Sequence, residues 1–332
     1  MKKMRIAVLL VAAVLMCLLL CGAALAAEDT QQKKIVYVVL DDSTSMGNLK
    51  QNLIRNRWSH ANYATQVLAG LMNEGDELRI YLLNNGHKEL RNIDLTTGGI
   101  QSSMSNLASK ETSYGTPFKT VKETWQSMLN RVLEENARYW LVVITDGAFD
   151  EIYRSPKDEQ IEFVRSNFEE FASVGIGGTE IKPEIIYLTI GSETAKSDSV
   201  IRIDMDGYAS ILKQQGIYCY HAVDDANASN SIVSVMGEVA DQISGRTRFQ
   251  GDALKVIDDQ TVQITADLPL FNFVVLLQNN AGELDRVTGE NGNVLRKSRS
   301  ASAVAPQPMI GKDVLKAHVH TVDNGKDNVA PG

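Results

Sequence analysis

Cysteine is scarce in this chain. Of the 332 residues only three are cysteine, and Cys17 and Cys21 both fall in an apolar N-terminal stretch with the features of a cleaved leader. Removal of that leader would leave Cys219 as the single thiol. One cysteine can form neither an internal disulfide nor a thiolate zinc site. We therefore expect an ordinary hydrophobic core to stabilise the protein, for which a hydrophobic content of 44% is sufficient.

The first 26 residues are predicted to be a signal peptide. Three cations lie within the first five residues, an apolar run follows from Ile6 to Leu20, and Ala24-Leu25-Ala26 gives the small-x-small pattern of a cleavage site. An uncleaved membrane anchor is the alternative, because the run approaches the length of a bilayer span. In both cases the rest of the chain is expected outside the cytoplasmic membrane, secreted or at the cell surface, and a bacterial source is the simplest fit.

The chain also has fewer positively than negatively charged residues. The chain has 33 Lys and Arg residues against 41 Asp and Glu residues, which gives a formal net charge of −8. Loss of the three leader cations would change this charge from −8 to −11. Nucleic-acid binding requires a basic surface that replaces phosphate counterions. An acidic, exported protein is therefore not expected to bind nucleic acid.

Common catalytic motifs are missing from the sequence. It contains no Gly-x-Ser-x-Gly elbow, no His-Glu-x-x-His helix and no phosphate-binding loop. Asp41-Asp42 resembles the acidic pair of response regulators, but Ile190-Gly191 stands where such a protein has a lysine. A phosphatase of the haloacid-dehalogenase type needs a second Asp two positions after the first, where this chain has Ser43. The protein is therefore not expected to be an enzyme.

Alternating strand and helix patterns predict an α/β fold over residues 34–245. Nearly unbroken apolar runs such as Lys34–Leu40 are typical of strands that are buried on both faces of a sheet. Segments with helical periodicity separate these runs, which favours a Rossmann-like, doubly wound and mostly parallel sheet. The other predicted strands are Leu78–Leu83, Tyr139–Ile144, Ile185–Ile190 and Ile217–Val223, and the predicted helices are Trp58–Met72, Phe118–Glu135, Glu159–Ala172 and Ser231–Ile243.

Residues 250–332 are predicted to form a smaller β-rich module, because helical periodicity is absent there. Two short runs flank a polar turn at Asp258-Asp259-Gln260 and indicate a hairpin. A sandwich is the candidate architecture, and the lack of a closing element before Gly332 is compatible with a fragment of a longer protein. The predicted strands are Leu254–Ile257, Thr261–Thr265 and Leu270–Leu277.

Oxygen-bearing side chains are concentrated where the predicted strands end, which is where open α/β sheets bind ligands. An Asp-x-Ser-x-Ser sequence follows the first strand, Thr-Asp-Gly follows the third, and Gly-Thr-Pro precedes a helix that its threonine is expected to cap. Alternation along an extended segment points the first three side chains the same way. The five candidate ligands are Asp41, Ser43, Ser45, Thr116 and Asp146.

Two carboxylates and three hydroxyls make a set of hard oxygen ligands. Such a set suits Mg²⁺, with Mn²⁺ or Ca²⁺ as substitutes, and does not suit zinc or copper. The carboxylates neutralise one divalent ion, which can then accept one more anionic ligand. Asp42 is expected to face solvent or to support the ligands from behind. His318-x-His320 is interpreted as part of an exposed strand in preference to a metal site.

These motifs resemble the metal-ion-dependent adhesion site of von Willebrand factor A (VWA) domains, the fold of integrin I domains. The resemblance covers roughly Lys34 to Ser244, and all five positions carry the expected residue type in the expected order. It implies direct metal binding by the two serines, direct or water-mediated binding by the threonine, and largely water-mediated binding by the two aspartates. It also implies that a partner's Asp or Glu completes the coordination, and that a switching helix lies near Glu159–Ala172 or Ser231–Ile243.

The combined prediction is an exported, metal-dependent protein-binding module for adhesion or assembly, whose partner is an extracytoplasmic protein that presents Asp or Glu. The alternative is an accessory subunit that positions a client for an enzyme machine, as some bacterial relatives do with ATPases. The leader favours adhesion, because those ATPases are cytoplasmic. Membrane attachment would come through an uncleaved leader or through a segment beyond residue 332.

Overall fold

The computed structural model describes residues 32–43, 46, 57–85, 89–96, 98–104, 115–131, 134, 137–146, 149–151, 155–169, 175–176, 179–180, 183–191, 213–214, 216–223, 231–266, 272–278, 283–305 and 316–323. The chain divides into two compact units, Met1–Lys33 and Lys34–Gly332. The signal peptide predicted at residues 1–26 lies outside the described residues. Within the described part, no helix is both long enough and apolar enough to cross a membrane.

Strands and helices are interspersed up to residue 244, and the regular structure beyond it is almost entirely β. In the part of the chain that the structure describes, the helices are α1 (Arg57–Leu71), α2 (Gly99–Met104), α3 (Lys119–Leu129), α4 (Lys157–Glu169) and α5 (Ile232–Ser244). The strands are β1 (Lys33–Leu40), β2 (Glu77–Leu82), β3 (Glu89–Ile93), β4 (Ala137–Thr145), β5 (Gly175–Ile176), β6 (Thr179–Glu180), β7 (Glu184–Gly191), β8 (Tyr218–Val223), β9 (Leu254–Asp258), β10 (Thr261–Ile264), β11 (Asn272–Gln278), β12 (Val287–Thr288), β13 (Val294–Val304) and β14 (Lys316–Asp323).

A six-stranded sheet in the order β3-β2-β1-β4-β7-β8 forms the centre of the fold. Strand β1 pairs with β2, β4 with β7 and β7 with β8 in parallel, whereas β3 pairs with β2 in antiparallel orientation. The predicted α/β fold with a mostly parallel sheet is confirmed, and all five predicted strands are present. The edge strand β3 is missing from the prediction, because its sequence ELRNI has few apolar residues.

Both faces of the central strands are buried. Along β1, Val36 and Leu40 belong to a core cluster that includes residues of α1 and α5. Tyr37 and Val39 belong to a second cluster that includes residues of α3. Successive residues of a strand point to opposite faces, so a strand between two layers is apolar at every position. This is the physical reason for the unbroken apolar runs in the sequence.

The predicted helices are present, although some of their ends differ. Helix α5 is followed by Gly245 with a φ of 68°, in the left-handed region that glycine adopts freely. That end agrees with the prediction. Helix α3 ends at Leu129, with Asn130 as its C-cap, and so stops before the predicted end at Glu135. The short helix α2 is absent from the prediction.

Helix α1 is buried along its whole length. All 15 of its residues are buried, although they include arginine, histidine, asparagine and glutamine. The core cluster around α1 contains residues of the six-stranded sheet and of β13 and β14. Polar groups in such a place need partners inside the protein. Thr65 Oγ1 donates to the Ala61 carbonyl at 2.8 Å, and Gln66 Nε2 donates to Asn62 Oδ1 at 2.7 Å.

The C-terminal strands form a four-stranded antiparallel sheet in the order β11-β14-β13-β12, and β9 and β10 form a separate hairpin. The predicted hairpin turn is confirmed, since Asp258 pairs with Thr261. One face of the four-stranded sheet packs on α1, where a Cβ added at Gly70 would lie 3.0 Å from Val319 Cγ2. The β-rich character after residue 245 is therefore confirmed, whereas the boundary between two domains stays a prediction.

His320 does not lie on an exposed strand, contrary to the expectation for the His-x-His sequence. Strand β14 is paired with β11 and with β13, and His320 is only 5% exposed. Its Nδ1 lies 2.8 Å from Ser300 Oγ, and His318 Nδ1 lies 3.1 Å from Ser302 Oγ. The expectation is wrong for His320 because β14 is an interior strand of its sheet.

Arg299 joins the C-terminal sheet to the end of α1. Its buried guanidinium donates to the backbone carbonyls of Leu95 at 2.9 Å, of Gly70 at 2.5 Å and of Met72. Arg246 donates to another carbonyl of the last turn of α1. The last carbonyls of a helix lack partners within the helix and favour cations. Two arginines from outside α1 therefore stabilise its C-terminal end.

Replacement of Arg299 by methionine should lower the free energy of unfolding by about 3 kcal/mol, because buried carbonyls lose a charged donor. Arg296→Met is the matched control, since Arg296 is exposed on the same strand, and it should change the free energy of unfolding by less than about 0.5 kcal/mol. Urea unfolding followed by circular dichroism measures both values. Equal losses in the two variants would contradict this role for Arg299.

Candidate metal site

The predicted ligands lie where β1 and β4 end and before α3 begins. Asp41 and Ser43 follow β1, and Asp146 follows β4, the neighbour of β1 in the sheet. The backbone N–H of Asp41 donates to the Ile144 carbonyl at 2.9 Å, which holds the two strand ends together. Ser45 lies outside the described residues. The described candidates are between 1% and 6% exposed: Asp41, Ser43, Thr116 and Asp146.

Two hydrogen bonds fix the carboxylate of Asp41. Its Oδ1 accepts the backbone N–H of Ser43 at 2.8 Å, and its Oδ2 accepts the hydroxyl of Thr145 at 2.6 Å. Burial, and after it the charge of Asp146, raises the pKa of Asp41 to about 7, although the hydrogen bonds oppose the rise. Two buried carboxylates thus repel each other at these strand ends, and a cation close to them relieves the repulsion.

Arg57 supplies a positive charge at this place. Its Nη1 donates to Asp146 Oδ2 at 3.1 Å, and both side chains are 1% exposed. Arg57 is the first residue of α1. No local motif marks Arg57 in the sequence, because its partner Asp146 is 89 positions away.

Thr116 is held by Asp150, a residue that the motifs do not single out. The backbone N–H of Thr116 donates to Asp150 Oδ2 at 2.7 Å, and the Thr116 hydroxyl donates to Asp150 Oδ1 at 3.1 Å. The backbone N–H of Asp150 donates in return to the Thr116 carbonyl at 3.0 Å. Gly115 permits this approach, since its φ is 91° and an added Cβ would lie 2.6 Å from Asp150 Oδ2.

Thr116 is not the N-cap of a helix, contrary to the expectation from the Gly-Thr-Pro sequence. Helix α3 begins at Lys119, and its N-cap residue is Phe118, whose side chain makes no capping hydrogen bond. The backbone N–H of Phe118 donates instead to the carboxylate of Glu151, at 3.0 and 3.2 Å. A carboxylate is favourable at the N-terminus of a helix. Glu151 therefore supplies the hydrogen-bond acceptor at the start of α3 that the prediction assigned to Thr116.

Asp42 is buried and lies behind the candidate ligands, which is one of the two positions expected for it. Its Oδ1 accepts the backbone N–H of Asn84 at 2.9 Å and the side-chain amide of Asn84 at 3.0 Å. The same amide nitrogen donates to the Gly115 carbonyl at 2.6 Å. Asn84 thus connects the end of β1 with the residue before Thr116, although no sequence motif includes it.

Comparison of the sequence with family models gives a match over residues 36–148 to the von Willebrand factor type A domain. This part of the chain is a VWA domain. The matched residues include all five candidate ligand positions, from Asp41 to Asp146. The family inferred from the motifs is confirmed, whereas the metal site remains a prediction.

Solved structures similar to this chain share little sequence with it. An aerotolerance-related membrane protein from Bacteroides fragilis is 18% identical, with a TM-score of 0.40, over 63% of this chain and 98% of its own. The pilus adhesin SpaC from Lactobacillus rhamnosus GG is 11% identical, with a TM-score of 0.42, over 90% of this chain and 40% of its own. Manganese-loaded TRAP protein from Plasmodium vivax is 15% identical, with a TM-score of 0.37, over 90% of this chain and 96% of its own. No curated protein matches the chain.

The residues present in the VWA domain fit a divalent metal ion. Asp41 and Asp146 supply two buried carboxylates whose repulsion a cation relieves, and Ser43 and Thr116 supply hydroxyls. All are hard oxygen donors, which suit Mg²⁺, Mn²⁺ or Ca²⁺. Among the described residues, no three His, Cys, Asp or Glu side chains form a metal-binding group.

Replacement of Gly115 by alanine should lower the free energy of unfolding by about 1–3 kcal/mol, because alanine is strained at a positive φ and its Cβ would displace Asp150 from Thr116. Gly75→Ala is the control, since a Cβ at Gly75 meets no atom within 4 Å, and its effect should stay within about 0.5 kcal/mol. Urea unfolding of both variants measures the two changes in the free energy of unfolding. A Gly115→Ala protein as stable as the wild type would rule out the tight contact with Asp150.

Proposed function

We propose that this protein is an exported binding module whose VWA domain holds a divalent ion, in the first place Mg²⁺. The observation that carries the proposal is the burial of Asp41 and Asp146 at neighbouring strand ends, where burial, and after it the charge of Asp146, raises the pKa of Asp41. Buried carboxylates in this arrangement favour a bound cation. The proposed ligands are Asp41, Ser43, Ser45, Thr116 and Asp146, and Mn²⁺ or Ca²⁺ would be substitutes.

The hydrogen bonds around the ligands support this proposal. The hydroxyl of Thr116 donates to Asp150, which fixes the orientation of this proposed ligand. Thr145 and the backbone of Ser43 fix the orientation of the Asp41 carboxylate. Asn84 ties the loop before Thr116 to the end of β1 through Asp42 and Gly115. When bound, a divalent ion supplies a positive centre that accepts a carboxylate from another protein.

The partner in this proposal is an extracytoplasmic protein that presents an Asp or Glu side chain. The leader pattern of residues 1–26 supports a location outside the cytoplasmic membrane, and the acidic net charge of −8 argues against a nucleic acid as the partner. The proposed role is adhesion or assembly at the cell surface without catalysis.

Mg²⁺ at a hundredfold excess over its Kd should stabilise the wild-type protein by about 2.7 kcal/mol, or roughly 5–10 °C in Tm for a domain of this size. Asp41→Asn should abolish this gain, because a neutral amide does not compensate the charge of the ion. Asp259→Asn removes the same charge from an exposed turn and should retain the gain. Thermal unfolding in EDTA and in MgCl₂ measures the difference, and an undiminished gain in Asp41→Asn would exclude this site.

Partner binding should depend on both the ion and a carboxylate. Immobilised protein is incubated with surface proteins of the source cells in MgCl₂, and the retained proteins should be released by EDTA and recovered when MgCl₂ is restored. A second sample of the same extract, with its carboxyl groups converted to amides, should show no retention. Full retention in EDTA, or retention by Asp41→Asn equal to the wild type, would indicate an interface that needs no metal ion.

A further inference from the structure

Arg57 places a permanent positive charge on one of the proposed metal ligands. Its guanidinium is 3.1 Å from Asp146 Oδ2, and each side chain is only 1% exposed. Solvent screens such a buried pair far less than it screens a surface pair.

The charge of Arg57 also reaches the two strands beyond β4. Burial, and after it the charge of Arg57, lowers the pKa of His221 on β8. The Nδ1 atom of His221 lies 2.8 Å from Thr189 Oγ1 on β7. The charge of Arg57 therefore acts on His221 of β8 as well as on Asp146, which follows β4. Arg57 is part of the candidate site and does not belong to a separate surface ion pair.

We propose that Arg57 competes with the divalent ion for Asp146 and thereby sets the metal affinity of the VWA domain. This inference rests on the function proposed above. While Asp146 is paired with Arg57, it offers less negative charge to the ion, and the two cations repel each other in a poorly screened place. In the metal-free protein the same pairing compensates the buried charge of Asp146. Arg57 thus weakens metal binding and stabilises the metal-free form.

Arg57 also changes the charge of the loaded site. The carboxylates of Asp41 and Asp146 balance the two charges of the ion, and those of Asp42 and Asp150 lie beside them, so Arg57 makes the strand ends less negative by one charge. This added positive charge favours a carboxylate over a neutral amide as the last ligand. Arg57 would therefore lower the affinity for the ion and raise the preference for an acidic partner.

Arg57→Gln tests the competition, because glutamine retains a hydrogen-bond donor for Asp146 and removes the charge. Calorimetric titration of the full chain with MgCl₂ alone should give a Kd about tenfold lower than that of the wild type. The difference in Tm between EDTA and MgCl₂ should widen, since only the metal-free form loses a counter-charge. Arg138→Gln is the matched control, because it removes an arginine paired with Glu184 at the opposite end of β4, and it should change neither value.

The outcomes separate this inference from the proposed function. Tighter Mg²⁺ binding by Arg57→Gln than by the wild type supports the competition, as does binding by Arg57→Gln alone. Binding by the wild type that is equal to or tighter than that of Arg57→Gln overturns the inference and leaves the proposed function standing. Failure of both proteins to bind Mg²⁺ overturns the proposed function and the inference with it.

Arg57→Lys is a second variant, which keeps the positive charge on a shorter side chain. Its Kd for Mg²⁺ should lie between those of the wild type and Arg57→Gln. If Arg57→Gln does not fold, Arg57→Lys decides alone, and a Kd no lower than that of the wild type overturns the inference.

Discussion

Packed protein surrounds helix α1, so its polar groups are removed from water and depend on partners inside the molecule. Its residues share a core cluster with the six-stranded sheet on one side and with β13 and β14 on the other. Arg57 at its start pairs with Asp146, while Arg299 and Arg246 bind carbonyls at its last turn. The position of the helix is thus fixed at both ends by buried cations, and the candidate metal site depends on one of those ends.

Hydrogen-bond geometry and the balance of charge have separate roles at the candidate site. Thr145, Asn84 and Asp150 fix where the oxygen atoms lie. The repulsion between Asp41 and Asp146, and the ion pair of Asp146 with Arg57, decide how strongly a further cation is attracted. A change in the first group would alter geometry, whereas a change in the second would alter affinity with the geometry retained.

The strands and the carboxylates could be predicted because their signals are local. An apolar run such as Lys34–Leu40 reports burial on both faces by itself, and Asp41-x-Ser43 follows it directly in the sequence. Asp146 has the same relation to β4. These features depend on a few neighbouring residues, so no knowledge of the tertiary structure is needed to find them.

The remaining parts of the site arise from contacts between distant residues. Asp150 and Glu151 lie just after the Thr-Asp-Gly sequence, but their partners Thr116 and Phe118 are 34 and 33 positions away. Burial of Arg57 cannot be inferred from the polar sequence of α1, because the C-terminal sheet that covers the helix is encoded much later in the chain. Arg299 is a similar case. It lies in a polar stretch of β13, and its burial follows only from the packing of the C-terminal sheet on α1.

The C-terminal sheet that packs on α1 affects where this chain can be divided into separate domains. A polypeptide that ended at Gly245 would retain the six-stranded sheet, but it would expose to water the face of α1 that contacts Val319 and hydrogen-bonds to Val304. Burial of α1 therefore depends on β13 and β14, which lie outside residues 36–148, the part of the chain that matches the family model. Both segments are needed to keep this helix away from water.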